Sequence, residues 1–147
     1  MAILSFAAMY VLMYAMVDRF ANVYPNINQA YMAGVMAAPM VIIELFVMRG
    51  MYRNTQANIA LSTLSALVLG VCFAGIRKQA AVSDEQFIRS MIPHHAGAIL
   101  MCKEASLRDP ELQALCGQIR AGQQAEISQM KAKLAQLDPG SINRSDQ

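Results

Sequence analysis

The stretch SDEQFIRSMIPHHAGAILMCKEASLRDPE, residues 83–111, decides the fold. Ser83 followed three positions later by Gln86 fits a capping box, and Asp84 and Glu85 fill the first turn, where the helix dipole favours acids. Apolar or soft positions follow at Phe87, Met91, Ala98, Met101 and Cys102. This helix is expected to stop near Leu107. Asp109-Pro110-Glu111 then opens another, with an Asp cap, Pro at the first helical position and an acid beside it. Its apolar side is Leu112, Leu115, Ile119, Ile127, Met130, Leu134 and Leu137. It is expected to end before Pro139-Gly140, leaving Ser141 to Gln147 as a polar tail. The stretch predicts an antiparallel helical hairpin.

Working back toward the N-terminus, charge nearly vanishes. The 147 residues are 56 % hydrophobic and 15 % charged, where a soluble domain carries about 25 % charged residues. Residues 1–76 hold only Asp18, Arg19, Glu44, Arg49 and Arg53, and the remaining charges lie beyond them. Three apolar spans result: Met1 to Val17, Ala30 to Met48 interrupted by Glu44, and Asn54 to Ile76. A bilayer-crossing helix needs about 20 apolar residues. The second and third spans meet that; the first is short unless it borrows flanking residues. A signal peptide is the competing reading of the first span, but no basic segment opens it and no small-residue cleavage site precedes Asp18-Arg19. The expected fold class is all-α: three transmembrane helices followed by an amphipathic hairpin. The expected domains are a membrane domain over 1–78 and a hairpin domain over 79–147. A net charge of +2 is too small for a nucleic-acid surface. Eight Gly, five Pro and three Cys exclude collagen-like, disordered and disulfide-dense classes.

Arg49 and Arg53 mark the loop between the second and third spans as cytoplasmic by the positive-inside rule, whereas Arg77 and Lys78 argue the other way. The balance leans slightly toward an exported C-terminal half. In a hairpin turning near 108–109, residues equidistant from the turn share a height, and Cys102 faces Cys116. Export favours a disulfide between them; two unpaired buried thiols suit a reducing compartment. Cys72, inside the third span, reads as a small membrane-buried residue.

Both histidines, His94 and His95, sit in the quoted stretch. At about 100° per residue, Met91, His95, Ala98 and Cys102 share one stripe, with His94 and Met101 on its flank. Gln123, Glu126 and Met130 lie opposite on the second helix. Thioether with imidazole suits Cu(I), whereas Mg or Ca finds few oxygens here, and zinc more usually takes Cys, His and carboxylate. Adjacent histidines diverge along a regular helix, which works against both holding one ion, although Pro93 can bend the helix and relax that limit. Glu126 can orient a ligating imidazole or stand in as an alternative ligand. Met at helical spacing is equally ordinary core filler. Spacing alone leaves both readings open.

On Met91-Ile92-Pro93-His94-His95, the Gly97 to Met101 run and the Gln123 to Met130 segment, the chain resembles the bacterial domain-of-unknown-function 305 family. Met9-Tyr10, Met13-Tyr14, Tyr31-Met32 and Pro39-Met40 are similar to its longer, membrane-anchored members. The resemblance implies a ferritin-like helical half-bundle and, as in some exported members, copper binding by Met91, His94, His95, Met101 and Met130. It implies no catalytic activity. The di-iron pattern needs Glu-x-x-His pairs, and no Glu precedes either histidine by three residues. The expected function is therefore a Cu(I)-binding protein of the bacterial plasma membrane, multi-pass, with its hairpin outside the cytoplasm. The alternative is an accessory membrane subunit whose hairpin assembles with itself or a larger membrane complex. Two helices each leave a flank exposed, so a homo-oligomer, most simply a dimer, is expected to complete a four-helix bundle. Met32, Met36, Met40, Glu44 and Met48 recur every four residues in the second span. The methionines read either as apolar packing residues or as stacked thioethers that pass Cu(I) along a helix interface, and a carboxylate at bilayer depth costs about 3 kcal/mol and marks a functional candidate.

Overall fold

The computed structural model describes residues 2–137, which form helices and their connections with no strand among them. The helices are α1 (Ala2–Leu12), α2 (Ile27–Val47), α3 (Thr55–Lys78), α4 (Asp84–Glu104) and α5 (Pro110–Leu137), with 3-10 turns at Met13–Met16 and Phe20–Asn22. They divide into two compact units. One combines the chain up to Met13 with Ile27–Val82, the other Tyr14–Asn26 with the chain from Ser83 onward. The chain passes from the first unit to the second after Val82, whereas the expected domains are 1–78 and 79–147. The difference is Tyr14–Asn26, which joins the hairpin instead of the apolar helices.

In the first unit, α2 and α3 are 21 and 24 residues long and apolar enough to cross a membrane. Helix α1 has 11 residues, about 16 Å of rise against a hydrocarbon core of about 30 Å. Of the three expected spans, two therefore reach crossing length as continuous helices. The Gln29 side chain donates to the Tyr10 carbonyl at 3.2 Å, tying the end of α1 to the start of α2. The buried seam of α2 is Ala33, Gly34, Ala37 and Ala38, small residues that let backbones approach closely. A Cβ on Gly34 would lie 2.6 Å from Cys72 Sγ, so the thiol of α3 packs directly against Gly34 of α2. The half-buried positions of α3 are Asn58, Ser62, Ser65, Leu69, Cys72 and Ile76, a 3–4 spacing that winds one face onto its neighbour. Leu64, Leu67, Val71 and Phe73 on its other faces are more than half exposed. Asn54 caps α3, accepting from the Ala57 N–H at 3.1 Å. Gln79, left-handed at φ 48°, closes its C-terminus. Glu44 falls in the last turn of α2, beside the connection to α3 and not at mid-helix.

The second unit is the hairpin and the strap Tyr14–Asn26. Ser83 Oγ accepts from the Gln86 N–H at 3.3 Å. Asp109 Oδ1 accepts from the Glu111 and Leu112 N–H groups at 2.9 and 3.0 Å. Helix α4 stops at Glu104, three residues before the expected Leu107, because Ala105 is already extended. The core is Ile88, Ile92, Ala96 and Ile99 of α4 with Ile127 and Leu134 of α5, joined by Val17, Tyr24 and Met130. This corrects the expected apolar side of α4: Phe87 and Met101 are 52 % and 62 % exposed. The core face is rotated from the expected one because Val17 and Tyr24 of the strap pack on the isoleucine cluster, a third layer that periodicity in the hairpin alone does not reveal. On α5, Leu112 and Leu115 are each 50 % exposed. The expected stop at Pro139-Gly140 and the tail beyond it lie outside the described residues.

Pro93 explains how the strap attaches. Lacking an N–H, it leaves the Arg89 carbonyl of the preceding turn without its helical donor. Asn26, 6 % exposed, supplies one: its Nδ2 donates to the Arg89 carbonyl at 3.4 Å and to the Tyr24 carbonyl at 2.9 Å. Further along the strap, Tyr14 Oη donates to the Tyr24 carbonyl at 2.8 Å, and Lys131 Nζ of α5 donates to the Ala21 carbonyl at 3.0 Å. Gly97 lets the strap pass, since a Cβ there would meet the Met16 carbonyl at 3.4 Å.

Candidate metal centre

Helix α4 supplies Met91, His94, His95 and Met101; α5 supplies Glu126 and Met130. Two contacts fix the register between them. Cys102 and Cys116 are joined as a disulfide near the hairpin tip, with Cα atoms 5.2 Å apart. Farther down, His95 Nδ1 lies 3.0 Å from Glu126 Oε2. Met91 precedes His95 by one turn and Met130 follows Glu126 by one turn. In antiparallel helices both steps run the same way, so Met91 and Met130 stand at about the same height, one turn from the His95–Glu126 contact.

His95 is the inner of the two histidines, its side chain 13 % exposed. The Glu126 carboxylate is within ion-pair distance but off the direction of a hydrogen bond, leaving the buried Nδ1 without a hydrogen-bond partner among the described residues. Burial holds the His95 pKa below 6.5, outweighing the opposing pull of Glu126, and His94 adds to the depression. At neutral pH the ring is therefore uncharged, with a lone pair available to a metal. His94 is exposed, yet its ring centroid lies only 6.1 Å from that of His95, tilted by 60°.

Met101 stands apart. It is exposed beside the disulfide, seven residues beyond His94, or about 10 Å along the helix axis. Met101 therefore lies away from the Glu126 contact, whereas Met91, His94, His95 and Met130 stand within about one turn of it along their helices. Among the described residues no three of His, Cys, Asp and Glu come together, so a three-donor set at this place must draw on methionine. Sequence reasoning missed the strap residues behind the motif, Tyr24 and Asn26. The available signal was Pro93, whose orphaned carbonyl requires a donor from outside the helix.

Fold and site together define an all-helical chain with two helices able to cross a membrane and a hairpin bearing a histidine–methionine cluster. The chain belongs to the family described as "Domain of unknown function (DUF305)", whose model matches residues 44–136. It is 31 % identical over 137 residues to "Uncharacterized protein L153" of Acanthamoeba polyphaga mimivirus, covering 91 % of this chain and 88 % of that protein. No solved structure matches. The family match opens at Glu44, in the last turn of α2, and takes in α3 and the whole candidate centre. The viral relative extends the likeness over nearly the full chain.

Proposed function

We propose that this is a membrane-anchored Cu(I)-binding protein that holds the ion in the hairpin unit outside the cytoplasm, without catalysis. One observation carries the reading: a neutral, half-buried His95 with an unpartnered Nδ1 stands beside His94 and one turn from the paired levels of Met91 and Met130. Imidazole and thioether are the donors that Cu(I) prefers. Glu126 orients the His95 ring, or replaces a thioether when one is lost. Met101 serves as an outer ligand on the path to the site. Helices α2 and α3 cross the bilayer, and α1 with the turn after it forms a third, shorter apolar element. The strap and the hairpin flank that helix pair in sequence, so two crossings return the chain to one side. Arg49 and Arg53 keep the intervening turn cytoplasmic, and the disulfide suits the opposite, oxidising side.

The test is titration of the detergent-solubilised full chain with Cu(I) against bicinchoninate. His94→Ala/His95→Ala is expected to lose the hairpin ion, and Met91→Leu/Met130→Leu to weaken it at least tenfold. Binding unchanged in both variants would refute the assignment.

The alternative, assembly of the hairpin with a second copy, is supported by a different feature. The outer face of α5 presents Ala114, Gly117, Ala121, Ala125, Ser128 and Ala132, all exposed, at a 3–4 spacing that suits close helix contact. Light scattering corrected for detergent distinguishes a dimer from a monomer. Loss of the dimer in Ala121→Glu with copper binding retained would separate assembly from metal holding.

A further inference from the structure

Four residues of the apolar unit share a cavity that the hairpin centre does not explain. Met40 and Glu44 of α2 line it with Met48, just past the end of that helix, and Ser5 of α1, and its volume is about 480 Å³. The Met48 N–H still donates to the Glu44 carbonyl at 2.9 Å, so each of the three lies one turn, about 6 Å, from the next. They continue the Met32 and Met36 repeat, whose side chains are about two-fifths exposed beside the buried seam. Glu44 is the one charged residue of α2 and stands in its last turn, where any part of the carboxylate withdrawn from water needs a counter-charge or a donor. Arg53 lines the adjoining cavity with Glu44, but no ion pair joins them and no side-chain hydrogen bond reaches Glu44 among the described residues. Two thioethers, one carboxylate and one hydroxyl remain as donors. Thioethers select a soft ion. Charge narrows the choice further, because a monovalent cation on one carboxylate leaves no net charge in apolar surroundings, whereas a divalent one leaves an uncompensated positive charge.

We propose that Met40, Glu44 and Met48, with Ser5, form a second site for a monovalent soft cation, Cu(I) or its analogue Ag(I), within the apolar unit. The site rests on the copper reading only for the identity of the ion, and its ligands are separate. The full chain in detergent is titrated with Cu(I) against bicinchoninate and, independently, with Ag(I). The parent binds two ions, His94→Ala/His95→Ala keeps one, and adding Met40→Leu/Met48→Leu to that variant removes it. Leucine conserves side-chain volume, and Glu44→Gln, expected to weaken this ion at least tenfold, provides a variant that leaves the thioethers in place. X-ray absorption of copper held by the His94→Ala/His95→Ala variant shows sulfur and oxygen neighbours without the imidazole signature. Met32→Leu/Met36→Leu, outside the cavity, leaves the count unchanged. The proposal is overturned if the His94→Ala/His95→Ala variant binds nothing, if Met40→Leu/Met48→Leu leaves its ion in place, or if Met32→Leu/Met36→Leu removes that ion equally. If Met40→Leu/Met48→Leu removes an ion while the histidine variant loses none, the hairpin reading falls and this site stands.

Discussion

Pro93 withdraws one backbone donor, and the consequence falls on Asn26 at the far end of the strap. Asn26 donates to the Arg89 carbonyl that Pro93 leaves open, and an unsatisfied buried carbonyl costs about 1–3 kcal/mol. Asn26→Ala is expected to destabilise the hairpin unit by about that amount. Pro93→Ala restores the helical N–H, so Asn26→Ala costs less in its background; a double-mutant cycle by chemical denaturation reads the coupling. Additive effects would show that the two residues act independently. At His95 the consequence is a pH dependence. Burial depresses its pKa below 6.5, so the unfolded chain takes up the proton more readily than the folded one. Its contribution to stability is present above pH 6.5 and is lost as pH falls through the depressed folded value. Thermal unfolding of the parent is expected to decline more steeply below pH 6.5 than that of His95→Gln. Parallel profiles would assign the acid sensitivity to other groups.

At the scale of elements, α2 and α3 pack through small residues, with Gly34 making room for the Cys72 thiol and Gly75 for the Tyr31 ring. A Cβ on Gly34 would lie 2.6 Å from Cys72 Sγ, so Gly34→Ala is expected to lower the unfolding temperature of the full chain in detergent by several degrees. Cys72→Ala removes the obstructing sulfur and is expected to recover most of the loss, which a rotation of the thiol alone does not account for. In the hairpin, the Cys102–Cys116 disulfide closes a loop with a sequence separation of 14, worth about 3 kcal/mol in the chain-entropy account. Cys102→Ser/Cys116→Ser is expected to lower stability by about that much. The histidine–methionine levels lie farther down the hairpin, so the variant is expected to keep the hairpin ion. Ile92 has no exposed surface, and Ile92→Ala is expected to cost about 2–5 kcal/mol, most of it by opening the interface that Val17 and Tyr24 cover.

At the scale of the molecule, the second unit is assembled from two segments distant in sequence, Tyr14–Asn26 and the chain from Ser83 onward. That arrangement requires both segments in the same compartment, with the Arg49 and Arg53 turn opposite if α2 and α3 both cross. A cysteine introduced at exposed Phe20 and one at exposed Phe87 are expected to react alike with a membrane-impermeant thiol reagent in intact cells, while one at Gly50 is protected until the membrane is opened. Opposite labelling of the first two would break the topology and the export of the hairpin together. The strap also changes the case for a dimer. Part of the cover that a lone hairpin lacks comes from the same chain, so the proposed dimer is expected to use the outer face of α5 and not the isoleucine core.

The sequence alone determined the five helical segments and most of their ends, because caps, proline positions and apolar spans are local signals. Ser83, Asn54, Asp109 and Pro110 act within a turn of where they stand. It also put Cys102 opposite Cys116, since a short turn fixes height in an antiparallel pair. Residue chemistry together with the family resemblance singled out Met91, His94, His95, Met101 and Met130 as candidate ligands. Only the tertiary structure decided which face of α4 is core, because burial depends on what covers it and the cover is the strap. It placed Glu44 beside the connection to α3, where the helix end lies. And it turned Pro93 from a kink signal into an anchor for Asn26, a long-range hydrogen bond that no local pattern encodes.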